Sequence, residues 1–339
     1  MKKEVFIGFD GYIDQILRPI SSVHGDCHQY FSTINDMGDY LKEKSGRSCS
    51  IQLERVSKQL GGNGPLFART LKQLGVPVKL AGMFGTDSIH PIFTDVFSED
   101  ELCSFSDPME TTALEFMDGK VMMCPTAPDI QDPLETLLQA AERSGFSIEA
   151  ALESPLLAFL NWGEIYFMQT LWDELYERYI SNESVKDEQR IIFFDPADVS
   201  SHEEEKIRAM LRTIKKYGSH RHVILSVNEN EALQIGKKLF DLTDCEEIMN
   251  TLQQTFDIPE IVVHSNTITR SLVNGNKYQI PTLHIDHPLI STGAGDNFNA
   301  GYCYAKLNGW TAEECIHSAH KVSSFYISHG YPATSDLLV

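Results

Sequence analysis

Short apolar runs closed by Gly, Asp or His alternate along the chain with segments whose apolar residues recur at helical spacing. Val5-Phe6-Ile7-Gly8, Val78 to Gly82, Ile191 to Asp195, His222 to Val227 and Ile261 to His264 have the length and composition of buried strands. A further strand is read at Ile165-Tyr166-Phe167-Met168. Phe67, Leu71 and Leu74 share one helix face that begins at Pro65 and stops at Gly75. Ile207, Met210, Leu211 and Ile214 do the same within 203–217, and Phe298, Tyr302 and Ala305 mark another helix. Segments 131–153, 171–180 and 311–328 also read as helix, and 181–190 as a polar loop. A strand over 50–60, the helix from Pro65 and the strand from Val78 together read as a βαβ unit. Asp118-Gly119 and Asn274-Gly275, each between strand-like runs, predict hairpins. Residues 32–46 read as a helical insert, capped by Ser32 or Thr33, with Ile34, Met37 and Leu41 on one face and Gly46 at its end. Such alternation predicts an α/β protein, and 339 residues suit two domains or one large one.

Charge narrows the partners. Lys and Arg total 28 against 48 Asp and Glu, a formal net charge of −20. That surface disfavours nucleic acid and anionic membrane, and an anionic substrate would need a local positive site such as a helix N-terminus. Seven cysteines, with no C-x-x-C pair, fit a reduced cytoplasmic protein rather than a disulfide framework. Lys2 and Lys3 precede an apolar run, but Asp10 and Asp14 interrupt it too early for a secretion signal. No apolar stretch reaches membrane-spanning length. His24, Cys27 and His28, or His317 and His320, do not supply a zinc ligand set alone.

Candidate chemistry concentrates in Ser291-Thr292-Gly293-Ala294-Gly295-Asp296-Asn297-Phe298-Asn299-Ala300-Gly301. Small residues let backbone approach a ligand, and a helix start offers free N–H groups to an anion. Asp296 beside such an anion hole suggests a base acting on an alcohol next to a phosphate; an Asp capping an ordinary helix is the structural alternative. Asn228 and Glu231, three apart at a helix start, suit Mg2+ through its retained waters, or a reciprocal capping box. Asp14, beyond the first strand, is placed to bind substrate hydroxyls or to form a turn. Gly61-Gly62-Asn63-Gly64-Pro65 is a second glycine cluster opening a helix, for close ligand approach or for tight packing.

In this order the pieces resemble the ribokinase-like (PfkB-type) carbohydrate kinase family. Gly82-Met83-Phe84-Gly85-Thr86-Asp87 is similar to its G-x-x-G-x-D, Asn228 to Glu231 to its N-x-x-E, and Gly293-Ala294-Gly295-Asp296 to its G-A-G-D signature, followed by Phe298, Ala300 and Gly301. The resemblance implies one domain over 1–339, a three-layer α/β/α sandwich with a small β-sheet lid drawn from segments near 10–20, 50–60 and 108–125. It implies an ATP- and Mg2+-dependent kinase acting on a hydroxymethyl group of a sugar or sugar-like alcohol. Asp296 would be the base and Gly293, Ala294 and Gly295 the anion hole. Asn228 and Glu231 would organise metal and phosphate, Asp14, Gly61, Gly62 and Asn63 would meet the sugar, and Ser265, Asn266, Thr292 and Asn299 the nucleotide. A homodimer through the lid fits the same resemblance.

Three positions depart from the family pattern. Leu66 stands where many members place a substrate-contacting Asn, which predicts poor use of ribose and fructose. His264-Ser265-Asn266-Thr267 replaces a Thr- and Gly-containing strand end. Ile290 holds the place of the first Asp in D-T-x-G-A-G-D, which predicts little gain from K+. These departures admit a non-catalytic ligand-binding protein as the alternative. An NAD-dependent oxidoreductase is disfavoured, because no G-x-G-x-x-G follows the first strand.

Overall fold

The computed structural model describes residues 4–25, 27–183, 187–286 and 288–338; Lys2, Lys3 and residues 184–186 of the polar loop lie outside these. The strands are β1 (Val5–Gly8), β2 (Tyr12–His24), β3 (Cys27–Tyr30), β4 (Leu53–Gly61), β5 (Val78–Met83), β6 (Leu102–Ser106), β7 (Met109–Phe116), β8 (Gly119–Met123), β9 (Leu156–Leu160), β10 (Asp187–Asp195), β11 (Arg221–Asn228), β12 (Glu260–His264), β13 (Ile268–Val273) and β14 (Asn276–Pro281). The helices are α1 (Ile34–Glu43), α2 (Asn63–Gln73), α3 (Pro91–Thr94), α4 (Pro133–Ser144), α5 (Ile148–Leu152), α6 (Met168–Leu175), α7 (Glu204–Gly218), α8 (Glu229–Phe240), α9 (Cys245–Phe256), α10 (Ala294–Leu307) and α11 (Ala312–His329).

Nine strands form one sheet in the order β14-β13-β12-β11-β10-β9-β1-β5-β6. The run from β12 to β6 is parallel, and β13 and β14 close one edge as an antiparallel hairpin. Side chains alternate between two helical layers because a strand's period is two. Ile7, Leu156, Ala158, Leu160 and Phe193 pack with Phe67, Leu71, Phe298 and Tyr302 on the side of α2, α10 and α11. Phe6, Leu157, Phe159, Ile192 and Phe194 pack with residues of α4 to α9 on the other. Each fully buried Leu or Phe contributes roughly 1.5–3 kcal/mol.

A smaller sheet has the order β3-β2-β7-β8, with β4 also paired to β2. β4 runs antiparallel to the Tyr12–Pro19 half of β2 and β3 to its far half, while β7 lies parallel to it. Leu17, Phe31, Leu114 and Phe116 form its apolar face, covered by Met37 and Tyr40 of α1. Thr33 caps α1 through a reciprocal box with Asp36.

Four readings are corrected. β4 and β5 lie in different sheets, so they do not form a βαβ unit; β5 pairs with β1 instead, and the smaller sheet is spliced between them. The strand read at Ile165–Met168 is the turn into α6, and the strand is Leu156–Leu160. Leu-Leu-Ala-Phe-Leu has no β-branched residue, so its propensity resembles a helix; tertiary burial on both faces decides. β10 begins at Asp187, inside the expected polar loop. Helix α2 starts at Asn63, two residues before Pro65.

Candidate active site

The carboxyl ends of β1, β10 and β11 converge with the starts of α2, α8 and α10 and with β2 of the smaller sheet, the usual ligand edge of an open α/β sheet. Asp10, just past β1, is fully buried. It accepts the backbone N–H groups of Asn63 (2.7 Å) and Gly64 (2.8 Å), the free donors at the start of α2, and an amide hydrogen from Asn161 (3.1 Å). Burial pushes its carboxyl up to about 6 against those three hydrogen bonds. Gly62 has φ +92°, and a Cβ on Gly64 would lie 2.5 Å from Asp10 Oδ1, so the glycines are what let α2 seat on this carboxylate.

Asp14 sits on β2 facing the same place. Thr111 of β7 donates to it at 2.5 Å, and a Cβ on Gly61 would strike its carboxylate. Burial raises its carboxyl, opposed by Thr111 and by the charge of Lys120. Asp195, at the end of β10, accepts from Asn299 (2.8 Å) and from the Ala197 N–H (3.0 Å), and the Asn63 side chain bonds it too. Burial holds it at about 6. Asn228 and Glu231 form the full capping box of α8, with Glu231 N–H on Asn228 Oδ1 (2.9 Å) and Asn228 N–H on Glu231 Oε2 (2.8 Å). The Asn228 amide also donates to Glu231 Oε1 (2.6 Å). Burial, and then the nearby Asp195 charge, raise the Glu231 carboxyl to about 8. A carboxylate crowded by the Asp195 charge beside an amide oxygen, with hydrogen bonds already on each Glu231 oxygen, fits a divalent cation held through its waters rather than by direct ligation.

At the start of α10, Gly293 takes φ +84°. Ala294 N–H reaches the Ser291 carbonyl (3.2 Å) and Asn297 N–H the Gly293 carbonyl (3.0 Å), whereas the N–H groups of Gly295 and Asp296 find no backbone acceptor among the described residues. Asp296 is half-buried beside them. Burial raises its carboxyl well above the usual range, followed by the charges of Asp195, Asp10 and Asp14. The loop is braced from behind by the Tyr326 hydroxyl on the Thr292 carbonyl (3.0 Å) and by Leu66, buried against Gly293. From in front, Lys120 of β8 donates to the Thr292 hydroxyl (2.9 Å).

A cleft of about 660 Å³ continues from this loop, lined among others by Asn228, His264, Ser265, Asn266, Gly295 and Phe298. His264 stacks on Phe298 at 4.7 Å, and burial lowers it to about 4, so it is neutral. Ser265 and Asn266 therefore stand in the cleft, but Asn299 does not: its amide is fully buried between Ser226 and Asp195, as a support beneath the site. Thr292 lies between the cleft loop and Lys120. Sequence reasoning left Asp10, Asp195, Asn161 and Lys120 outside the site. An apolar strand ending in Asp was a usable signal for Asp195; nothing local marked Lys120.

A mainly parallel sheet between helical layers, with a smaller sheet facing a glycine turn and an acidic helix start, defines a ribokinase-like α/β fold. Thermotoga maritima ribokinase matches it with TM-score 0.65 at 16% identity over 100% of this chain and 98% of its own. Arabidopsis thaliana ribokinase, solved with ribose and ATP, gives 0.64 at 15% over 100% and 98%. An E. coli protein described as a ribokinase II, in complex with ATP and Mg2+, gives 0.68 at 12% over 100% and 98%. The family model for prokaryotic ketohexokinase matches residues 1–339, and the chain belongs to that family of carbohydrate kinases. A ketohexokinase of Haloferax volcanii is 22% identical over 98% of this chain and 89% of its own length.

Proposed function

We propose that the protein transfers the γ-phosphoryl group of ATP to a hydroxymethyl group of a ketohexose such as fructose. The observation that carries this is Asp296, a carboxyl pushed up by burial and by three other carboxylates, beside the N–H groups of Gly295 and Asp296 that have no backbone acceptor among the described residues. The acceptor hydroxyl gives its proton to Asp296, and its oxygen bonds the γ-phosphorus. The bond from that phosphorus to the bridging oxygen breaks, and the electron pair leaves with ADP. The free N–H groups of Gly295 and Asp296, presented by the turn at Gly293 and Ala294, meet the charge on the transferring oxygens. Asp14, Asn63 and the turn at Gly61 and Gly62 hold acceptor hydroxyls. Ser265 and Asn266 line the nucleotide's approach, and Thr292 holds the loop beside it through Lys120 and Tyr326. Asn228 and Glu231 would hold Mg2+ through water, and the ion when bound would offset phosphate charge and favour ionised Asp296.

The family match supports a ketohexose, against the poor use of fructose that Leu66 suggested. Leu66 is buried against Gly293, so it gives no reason for an acceptor hydroxyl to lose a partner. The same match and the retained Asp296 disfavour a non-catalytic binder. The protein is taken as cytoplasmic, in keeping with free cysteines throughout the described residues and with no described helix long and apolar enough to cross a membrane. Val23, Val56, Met122 and Met123 expose apolar surface on the smaller sheet, which supports a homodimer formed there. The test is ATP·Mg2+-dependent phosphorylation of fructose by wild type and Asp296→Asn. The variant is expected to lose about 10²–10⁴-fold in kcat; retained turnover would overturn Asp296 as the base, and wild type that does not phosphorylate fructose would overturn the reading.

A further inference from the structure

Lys120 is a cation that touches no anion among the described residues. It lies on β8 directly across from Glu115 of β7, yet Glu115 meets Arg18 instead, at 3.5 Å. Among the described residues no carboxylate comes within 4.0 Å of its ammonium. The side chain crosses from the smaller sheet to the start of α10, 172 residues further along the chain, and donates to the neutral hydroxyl of Thr292. Thr292 is the residue immediately before Gly293. A partly buried ammonium that meets only a hydroxyl has lost hydration without gaining an opposite charge, which is costly unless a ligand supplies one. The surroundings do not supply it by contact: Asp14 feels the Lys120 charge at a distance and spends its own oxygen on Thr111. Of the two cations of α2, Lys72 pairs with Glu101 and Arg69 lies behind the loop over the Tyr326 ring at 5.8 Å, so neither shares this position.

We infer that Lys120 is a catalytic residue, a phosphoryl-binding cation carried by the smaller sheet. When ATP and acceptor are both present its ammonium leaves the Thr292 hydroxyl for a non-bridging oxygen of the γ-phosphoryl group. The Gly295 and Asp296 N–H groups lie on the loop that Lys120 already touches at Thr292, so donors reach that group from the smaller sheet and from the start of α10. This rests on the kinase reading above and adds the residue through which the smaller sheet takes part in the chemistry. A single ammonium also gives the acceptor side of the site its counter-charge: Asp10, Asp14, Asp195 and Asp296 all crowd it with negative charge. A transferring phosphoryl group, itself negative, needs such a cation there to approach Asp296 at all.

The experiment compares wild type, Lys120→Met, Lys120→Arg and Asp296→Asn in steady-state fructose phosphorylation. Alongside, it measures calorimetric binding of ADP·Mg2+ and of ADP·Mg2+ with aluminium fluoride and fructose, a mimic of the transferring group. Lys120→Met is expected to lower kcat about 10²–10³-fold, as loss of one donor to a developing charge does. It should weaken the aluminium fluoride complex by a similar factor while leaving ADP affinity within about threefold. Lys120→Arg should recover at least a tenth of wild-type kcat. A merely structural lysine would instead lower the melting temperature and weaken both complexes together, and that result overturns the inference. So does a Lys120→Met kcat within threefold of wild type while Asp296→Asn is inactive, which leaves the kinase reading standing. Wild type that does not phosphorylate fructose overturns the kinase reading, and the aluminium fluoride measurement then decides Lys120 without turnover.

Discussion

Asn299 donates its amide to Asp195 at 2.8 Å while Ser226 donates to the same amide's oxygen at 2.7 Å, so a fully buried residue of α10 fixes the acidic end of β10. Asp195 in turn bears on both Glu231 and Asp296. Helix α10 thus carries Asp296, the proposed base, on its first turn and aligns a second carboxylate from its next.

Asn299→Leu should therefore act through Asp195. It leaves the Ser226 hydroxyl and one Asp195 oxygen without their buried partners, a loss of about 1–3 kcal/mol. Supporting hydrogen bonds of this kind are worth about 10–100-fold in activity or metal affinity. Thermal unfolding and the Mg2+ dependence of initial rates check both. A variant with normal Mg2+ dependence and only lower stability would show that Asn299 merely packs.

The pH profile follows from the crowded carboxyls. A base works ionised, and Asp296 is held protonated to higher pH than an ordinary Asp. The acid limb of kcat/KM should then lie above the usual carboxylate range, with activity rising as pH rises through it. Asp195→Asn removes one of the negative charges that raise Asp296, so the limb should move to lower pH, even as kcat falls. A limb that stays fixed or moves upward would mean another group titrates there.

How much of this was legible beforehand depends on distance along the chain. The α10 loop, the Asn228–Glu231 cap and the glycine turn each announce themselves within a few residues, because helix starts and left-handed glycines are local requirements. The hairpin at Asn274-Gly275 is local too, with φ of +48° and +83° matching the turn type its sequence favours. What escaped was non-local. The pairing of Asp10 with α2 spans 53 residues and that of Lys120 with Thr292 spans 172. No spacing rule reports that β4 leaves the main sheet, since its own residues would suit either sheet. The β9 strand was hidden by leucines whose burial, not propensity, makes them strand.

At the opposite edge from the site, Glu260 is fully buried and accepts from His222 (2.7 Å), Lys306 (2.7 Å) and Tyr302 (2.5 Å). Burial pushes its carboxyl up, but the His222 bond and the Lys306 charge outweigh it and hold it below the usual value. A depressed acid contributes stability above its unfolded pKa and loses it as pH falls through the folded one. Glu260→Gln strands Lys306 and should cost about 3–5 kcal/mol near neutral pH. Denaturant unfolding at pH 7 and at pH 3 should show the two proteins converging in acid. A gap that stays constant with pH would mean the network acts by shape alone.

The last prediction concerns monovalent cations. Ile290 occupies the position where the resemblance places an Asp that would join a K+ shell beside the anion-hole loop. A monovalent ion binds weakly, so a carboxylate in its shell matters for charge and for geometry. Here the segment is tied by its backbone instead: the N–H groups of Leu289 and Ile290 both reach the Ile327 carbonyl of α11, at 2.9 and 3.3 Å. That pairing holds the segment before the loop in place without an ion, and the Ile290 side chain offers no oxygen. Initial rates at fixed ionic strength, with tetramethylammonium replaced by Na+ and then by K+, should differ by less than about twofold, well under 1 kcal/mol. A saturable rise of several-fold specific to K+ would show that other groups complete a shell. Ile290→Asp should then be tried in the same assay: if the missing carboxylate is the reason for indifference, this variant gains a K+ response that wild type lacks.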